Sequence, residues 1–94
     1  SVYLARIQKE GYRINEDGAK QIKVKIGFSE KTDEREFDLR RGNDELKIIN
    51  TFINLTERYE NILHNKFSHQ KIEREIFWLS NNDIEWIRTN IYSL

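Results

Sequence analysis

The sequence predicts an α+β domain in which an antiparallel β-meander of three to four strands packs on one long helix, with one or two short C-terminal helices after it. Apolar residues alternate with polar ones over residues 2–40 and recur at helical spacing over residues 43–64. Residues 68–94 form the predicted C-terminal helical region. A chain of 94 residues is the size of a single domain, which we place at 1–94.

The clearest predicted strand lies in residues 21–28, where Lys23 and Lys25 point to one side of the strand. Every second residue on the other side is apolar: Ile22, Val24, Ile26 and Phe28. Residues 35–40 alternate in the same way and predict a further strand. Strands of this kind form an antiparallel sheet with one apolar face, and that face needs a cover.

The N-terminal residues 2–14 are also β-prone, but their alternation changes phase at Gly11. One long strand with a bulge explains this change, and so does a tight hairpin; the pattern leaves both open. Residues 15–18 predict a turn, in which Gly18 adopts the left-handed conformation that glycine tolerates best.

The long helix is predicted to begin at a cap formed by Asn43 or Asp44. Beyond the cap, the apolar residues fall into two adjacent stripes: Leu46, Ile49 and Ile53 in one, and Ile48, Phe52, Leu55, Tyr59 and Ile62 in the other. Such a face is wider than a helix on one sheet requires. We therefore expect the second stripe to be covered by the C-terminal third of the chain or by another molecule.

The C-terminal third contains an apolar run at residues 76–79 that is compatible with two structures. Apolar residues recur at helical spacing from Ile72 onward, whereas an uninterrupted apolar run is typical of a short buried strand. Ser80 and Asp83 then have the spacing of a capping box, which begins a final helix. The apolar face of that helix is formed by Ile84, Ile87 and Ile91.

The composition excludes several kinds of functional site. Sixteen basic and sixteen acidic residues give a net charge of zero, so no global field attracts nucleic acid or a membrane surface. The absence of cysteine excludes disulfides and cysteine nucleophiles. Glycine-rich phosphate loops and nucleophile motifs are absent too, and pairing with Lys23 and Lys25 accounts for the carboxylates of residues 34–38. We predict a protein without enzymatic activity, cofactor or small-molecule substrate.

Two histidines each lie four residues from a glutamate: Glu60 precedes His64, and Glu73 follows His69. Two imidazoles and two carboxylates are a chemically allowed metal site. Pairs at this spacing are, however, ordinary on helix surfaces, and residues 65–68 are expected to break the helix between the histidines. We therefore predict no metal site unless both histidines and a carboxylate converge in one pocket.

Aromatic residues are concentrated near the C-terminus, where they are too many for one small core. Because aromatic side chains are enriched at protein interfaces, this excess favours binding to a protein partner or self-association as a homodimer. The predicted partner-binding residues are Tyr59, Phe77, Trp78, Trp86 and Tyr92. The small size and the asparagine-rich and isoleucine-rich composition are typical of cytoplasmic regulators or inhibitors from phages and mobile elements.

The alternative function is that of a nucleic-acid-binding module that uses the open face of the sheet. The basic positions of that face are Arg6, Arg13, Lys23, Lys25 and Arg40. A meander followed by a helix resembles the arm-binding domains at the N-termini of tyrosine integrases, and the resemblance covers residues 2–63. Against this function, Glu36 and Asp38 would share the face and weaken phosphate binding. No apolar run is long enough for a membrane span, so no membrane partner is expected.

Overall fold

The computed structural model describes residues 1–8, 11–30 and 46–94. Within these residues, one antiparallel sheet of six strands packs against two α-helices, which confirms the predicted α+β class. The strands are β1 (Val2–Ile7), β2 (Tyr12–Ile14), β3 (Lys20–Phe28), β4 (Leu46–Phe52), β5 (Lys71–Glu73) and β6 (Ile76–Ser80). The helices are α1 (Glu57–Lys66) and α2 (Asn81–Asn90), with short 3-10 turns at Ser68–Gln70 and Ile91–Ser93.

Strand β3 lies in the middle of the sheet, whose order is β4, β1, β3, β6 and β5. This confirms the strand predicted at residues 21–28. The predicted meander of three to four strands is wrong, however, because strands that do not follow one another in the chain lie side by side. Strands β1 and β2 both pair with β3, so that Arg6 lies opposite Val24 and Tyr12 lies opposite Ile22. Because β1 and β2 pair with β3 and not with each other, the tight hairpin is wrong. In place of the single bulged strand, the structure has two strands, β1 and β2, which lie in line along β3.

The turn between β2 and β3 has the predicted form. The side-chain oxygen of Asn15 accepts hydrogen bonds from the backbone N–H groups of Asp17, at 3.0 Å, and Ala19, at 2.8 Å. Gly18 adopts a φ of 82°, in the left-handed region. Asparagine and glycine are favoured in turns for these two reasons, and the turn fixes the register in which β2 meets β3.

The core lies between one face of the sheet and the two helices. The strands contribute Val2, Leu4, Val24, Ile26, Phe77 and Leu79, and the helical segments contribute Leu63, Phe67, Ile84, Ile87 and Ile91. The predicted capping box is present, because Asp83 and Ser80 each accept a hydrogen bond from the other's backbone N–H. The final helix and its apolar face are therefore confirmed.

The long helix predicted at residues 43–64 is wrong. Strand β4 occupies Leu46–Phe52 and pairs with β1, Asn54 turns the chain with a φ of 63°, and α1 begins only at Glu57. Isoleucine, threonine and phenylalanine favour strands, and pairing with β1 decides the structure of a run whose local pattern also fits a helix. The two apolar stripes therefore do not exist as one helical face.

The resemblance to integrase arm-binding domains loses its basis for the same reason, because residues 46–52 form a strand where that layout needs a helix. The strand predicted at residues 35–40 lies outside the described residues, as does the proposed cap at Asn43 or Asp44. No helix in the described parts of the chain is long and apolar enough to cross a membrane.

The C-terminal region is not wholly helical as predicted, because it contributes β5 and β6 to the sheet. The ambiguous run at residues 76–79 is a strand, placed between β3 and β5. Its alternate residues Phe77 and Leu79 are fully buried under the helices, while Trp78 points to the opposite face of the sheet beside Lys23. In this arrangement the strand buries its apolar side chains in the core and carries Trp78 on its other face. A helix over the same residues would have placed Trp78 partly in the core.

Candidate functional site

Glu60 is a charged residue on the buried side of α1. It lies three residues before Leu63 and seven before Phe67, so all three side chains share one side of the helical segment. Leu63 is completely buried, and Glu60 is only 8% exposed. Glutamate is seldom buried to this extent because loss of hydration disfavours its charged form. A carboxylate kept at such a cost is the leading candidate for a functional group.

The charges around Glu60 come from both the helix and the sheet. Burial raises the pKa of the Glu60 carboxyl, and repulsion from Glu75 raises it further, while His64 and Lys25 act in the opposite direction. The Lys25 ammonium lies 3.5 Å from a carboxylate oxygen of Glu75. Glu60 therefore interacts electrostatically with Glu75, His64 and Lys25, although Lys25 belongs to the face of the sheet opposite the helices. Clusters with perturbed pKa values are characteristic of functional sites.

His64 is held firmly at this place. Its Nε2 atom lies 3.0 Å from the carbonyl oxygen of Ile26, and its ring meets Phe77 edge-on with 4.9 Å between the ring centroids. Because a carbonyl can only accept, Nε2 carries the proton and donates it. In the neutral ring, Nδ1 is then the acceptor. His64 thus joins α1 to β3 one helical turn from Glu60.

Tyr3 completes the cluster on the sheet side. It lies opposite Gly27 in the β1–β3 pairing, and its ring covers that glycine so closely that an added Cβ would lie 2.3 Å from Tyr3 Cζ. The side chain of Tyr3 is 2% exposed, and the Lys25 ammonium lies 5.9 Å from its ring centroid. A glycine inside a strand often marks such a close approach. Contacts of Lys25 link Tyr3 to Glu75, and charge interactions link Glu60 to Glu75, Lys25 and His64; we name these five residues the Glu60 cluster.

Three of the basic positions predicted for nucleic acid lie on the face of the sheet opposite the helices. Lys23 and Lys25 alternate with core residues along β3, and Arg13 of β2 lies opposite Gln21. The Arg13 guanidinium carbon lies 4.9 Å from the ring centroid of Trp78, and the Lys23 ammonium lies 5.4 Å from it. The structure therefore brings these three cations together on one face of the neighbouring strands β2 and β3.

The other two basic positions do not join them. Arg6 lies opposite Val24 and therefore on the side of the sheet that carries the core, where it is exposed at the margin, so its assignment to the predicted basic face is wrong. Arg40 lies outside the described residues. Lys25 belongs to the basic set, but its ion pair with Glu75 makes it a shared member of the Glu60 cluster rather than a free surface cation.

The five predicted partner-binding residues do not form one surface. Phe77 is completely buried in the core, so its assignment to a partner surface is wrong, and Trp78 points to the other face of the same strand. Trp86 is half-buried with its ring 6.2 Å from that of Phe67. Tyr92 is 58% exposed, and its hydroxyl donates to the carbonyl oxygen of Ile53. The half-buried Tyr59 packs against the core.

The two histidines do not converge. His64 contacts β3 and β6 inside the Glu60 cluster, whereas the exposed His69 borders a groove beside the start of α2. Among residues 1–8, 11–30 and 46–94, no three histidine, aspartate or glutamate side chains lie close enough together to hold a metal ion by themselves. A metal at Glu60 would need most of its ligands from water or from a substrate.

Two features that define the site were not predicted from the sequence. The burial of Glu60 follows from its spacing to Leu63 and Phe67, but the predicted end of the helix at residue 64 left Phe67 outside it. The isolated Gly27 within a strongly alternating strand signals a close contact with another side chain, although its partner Tyr3 is 24 residues away. Both signals lie in the sequence and become readable only once the correct elements are known.

The buried charge on Glu60 is expected to lower the stability of the folded state. We expect Glu60→Gln to raise the melting temperature at neutral pH, because the folded state no longer holds a buried carboxylate. The wild type binds more protons folded than unfolded above the ordinary pKa of 4.5, so its stability falls as the pH rises through the raised pKa. The advantage of the variant should therefore vanish below pH 4.5, where both side chains are neutral.

Thermal unfolding followed by circular dichroism over a pH series measures this effect. Glu57→Gln is the matched control, since Glu57 is an exposed carboxylate on the same helix. Its negative charge lies in the first turn, where the helix dipole favours it, so this variant should be no more stable than the wild type. Equal stabilisation by both variants would show that burial at Glu60 is not the cause.

A comparison with protein-family models provides independent information about the chain. The model of the T5orf172 domain matches residues 2–91, which is nearly the whole sequence and includes every member of the Glu60 cluster. Comparisons with curated proteins and with solved structures returned no match.

Proposed function

The chain belongs to the T5orf172 domain family, and from this membership we propose that it binds nucleic acid. The T5orf172 domain is phage-associated and is often nuclease-like or DNA-binding, so we place the protein in a phage or another mobile genetic element. The observation that carries this proposal is the alignment of Arg13, Lys23 and Lys25 on one face of the sheet. A protein of zero net charge needs a local basic set of this kind to contact phosphates.

A second function, cleavage of the phosphodiester backbone, is favoured by the Glu60 cluster. A carboxylate beside a cation in a site from which water is largely excluded can activate an attacking water molecule. Mg²⁺ is commonly bound by one or two carboxylates, with water and substrate phosphate oxygens as its other ligands. Glu60 fits that pattern, because a Mg²⁺ ion bound in this way does not require a preformed site of three protein ligands. Lys25 would then stabilise the negative charge that develops on the phosphate.

Cleavage goes beyond the sequence-based expectation of a protein without enzymatic activity, which no finding tests. Both functions require that nucleic acid binds, and Lys25 belongs to both sets of residues, so one experiment addresses them together. The protein-partner and self-association hypotheses stay predictions, and the mass of the protein in solution, from light scattering after size exclusion, tests the latter.

The experiment uses the full chain with fluorescently labelled single-stranded and duplex DNA, in Mg²⁺ or in EDTA. Anisotropy measures binding, and denaturing gels measure cleavage. We expect binding that weakens steeply between about 50 and about 200 mM salt, because phosphate contacts release counterions. Cleavage should occur with Mg²⁺ and stop in EDTA. Binding without cleavage would refute the second function alone, and the absence of any binding would refute both.

A further inference from the structure

We infer that Arg13, Lys23 and Trp78 form a backbone clamp, which grips a nucleic acid strand about four nucleotides away from the phosphate that occupies the Glu60 cluster. The inference rests on the proposed function and adds the path of the strand. The clamp is distinct from the Glu60 cluster, because its members lie at the level of residues 21–23 of β3, on the side of Lys25 that faces away from Gly27.

The register of the sheet provides the spacing. Lys25, Lys23 and Gln21 follow one another at every second position of β3, and Arg13 lies directly opposite Gln21. At about 3.3 Å per residue, the distance along the strand from Lys25 to the level of Arg13 is about 13 Å. The phosphates of one strand advance by about 3.4 Å per nucleotide along the axis of a DNA duplex, so for a duplex whose axis runs along β3 this distance corresponds to about four nucleotides.

Arg13 is held ready for a phosphate although it lies on the surface. Its Nε atom donates to Gln21 Oε1 at 2.7 Å, and Gln21 is 3% exposed, so the acceptor is fixed inside the protein. The guanidinium lies 4.9 Å from the Trp78 ring centroid, which further restricts its motion. The terminal nitrogens retain donors that suit a phosphate. Within the described part of the chain, Arg13 forms no ion pair with a carboxylate.

The path ends at the clamp because the surface beyond it is acidic. An open groove of about 810 Å³ lies between the β2–β3 turn and the start of α2, with Arg13 on its border. The carboxylates of Glu16, Asp17 and Asp83 also line this groove. Because these charges repel phosphates, Arg13 is the last phosphate contact on this side. The clamp therefore sets how far the bound strand extends from the Glu60 cluster.

The test compares Arg13→Ala with the wild type in binding to duplexes of increasing length. We expect Arg13→Ala to weaken binding to long duplexes by about tenfold, and to lower the slope of log affinity against log salt concentration by about 0.9, as the loss of one phosphate contact predicts. Affinity of the wild type should rise when the duplex becomes long enough to reach the clamp. The variant should not show that rise.

Lys66→Ala is the matched control. Lys66 also carries one positive charge over a tryptophan, at 4.1 Å from the Trp86 ring centroid, but it lies on the helical side of the molecule. This variant should bind like the wild type. If Arg13→Ala binds as tightly as Lys66→Ala, the clamp is refuted while the proposed function stands. If the wild type itself binds no DNA, the proposed function fails. Melting temperatures close to that of the wild type establish that both variants are folded.

Discussion

Glu60→Gln is expected to lower the rate of Mg²⁺-dependent DNA cleavage by at least about 100-fold, the lower end of what a positioned acid or base contributes. Glutamine has nearly the same shape as glutamate, but it cannot take a proton from water, and its neutral amide is a poorer ligand for Mg²⁺ than a carboxylate. The basic residues of β3 remain in place, so affinity for DNA should stay close to that of the wild type. Single-turnover cleavage and anisotropy on the same DNA measure the two quantities.

The pH profile provides a second signature of the same group. Cleavage requires the ionised carboxylate, so the rate should rise with pH as Glu60 loses its proton, above the ordinary value of 4.5 because burial raises its pKa. Glu57→Gln removes a neighbouring exposed carboxylate and should retain cleavage. Cleavage of equal strength in Glu60→Gln and the wild type would assign the activity to another group or to a contaminating nuclease.

The negative charge of Glu60 that the proposed cleavage needs is also expected to destabilise the folded protein. The same side chain is expected to lower stability at neutral pH and to supply the reactive carboxylate, which is a usual trade at functional sites. The surrounding contacts offset this cost. His64 joins the helix to β3, and Lys25 forms an ion pair with Glu75, so the site is held rigid although it contains two like charges.

The elements that could be predicted are those whose structure depends on local interactions. Strand β3 alternates over its whole length with one face buried, and α2 begins at a capping box formed by Ser80 and Asp83. The Asn15 turn likewise depends on hydrogen bonds within five residues. Each of these signals is complete within a short stretch of chain, so distant residues do not change its meaning.

Strand β4 could not be predicted because a distant strand decides its structure. The apolar residues of Leu46–Phe52 are compatible with a helix, and only pairing with β1, 39 to 50 residues earlier, makes this segment a strand. In the helix predicted at residues 43–64, Glu60 and His64 form a pair that is ordinary on helix surfaces, and the sequence does not show that Glu60 is buried beside Leu63.

Phe77→Ala is expected to lower the free energy of unfolding by about 3–5 kcal/mol, the usual cost of truncating a fully buried phenylalanine. Its neighbour Trp78 is the larger side chain, yet Trp78→Ala should cost only about 1 kcal/mol, because Trp78 is half-buried on the other face and leaves no closed cavity. Two adjacent residues that sequence analysis placed together on a partner surface thus make opposite contributions, one to the core and one to the surface.

Urea denaturation followed by far-UV circular dichroism measures both changes, and the fluorescence of Trp86 gives a second probe in both variants. Domains of this size are stabilised by only about 5–15 kcal/mol, so the loss expected for Phe77→Ala can be large enough to leave that variant unfolded. Phe77→Leu then serves in its place, because it retains most of the apolar volume and should cost less than Phe77→Ala while still exceeding Trp78→Ala. Equal costs for Phe77→Ala and Trp78→Ala would contradict the orientation of β6, and with it the assignment of Trp78 to the backbone clamp.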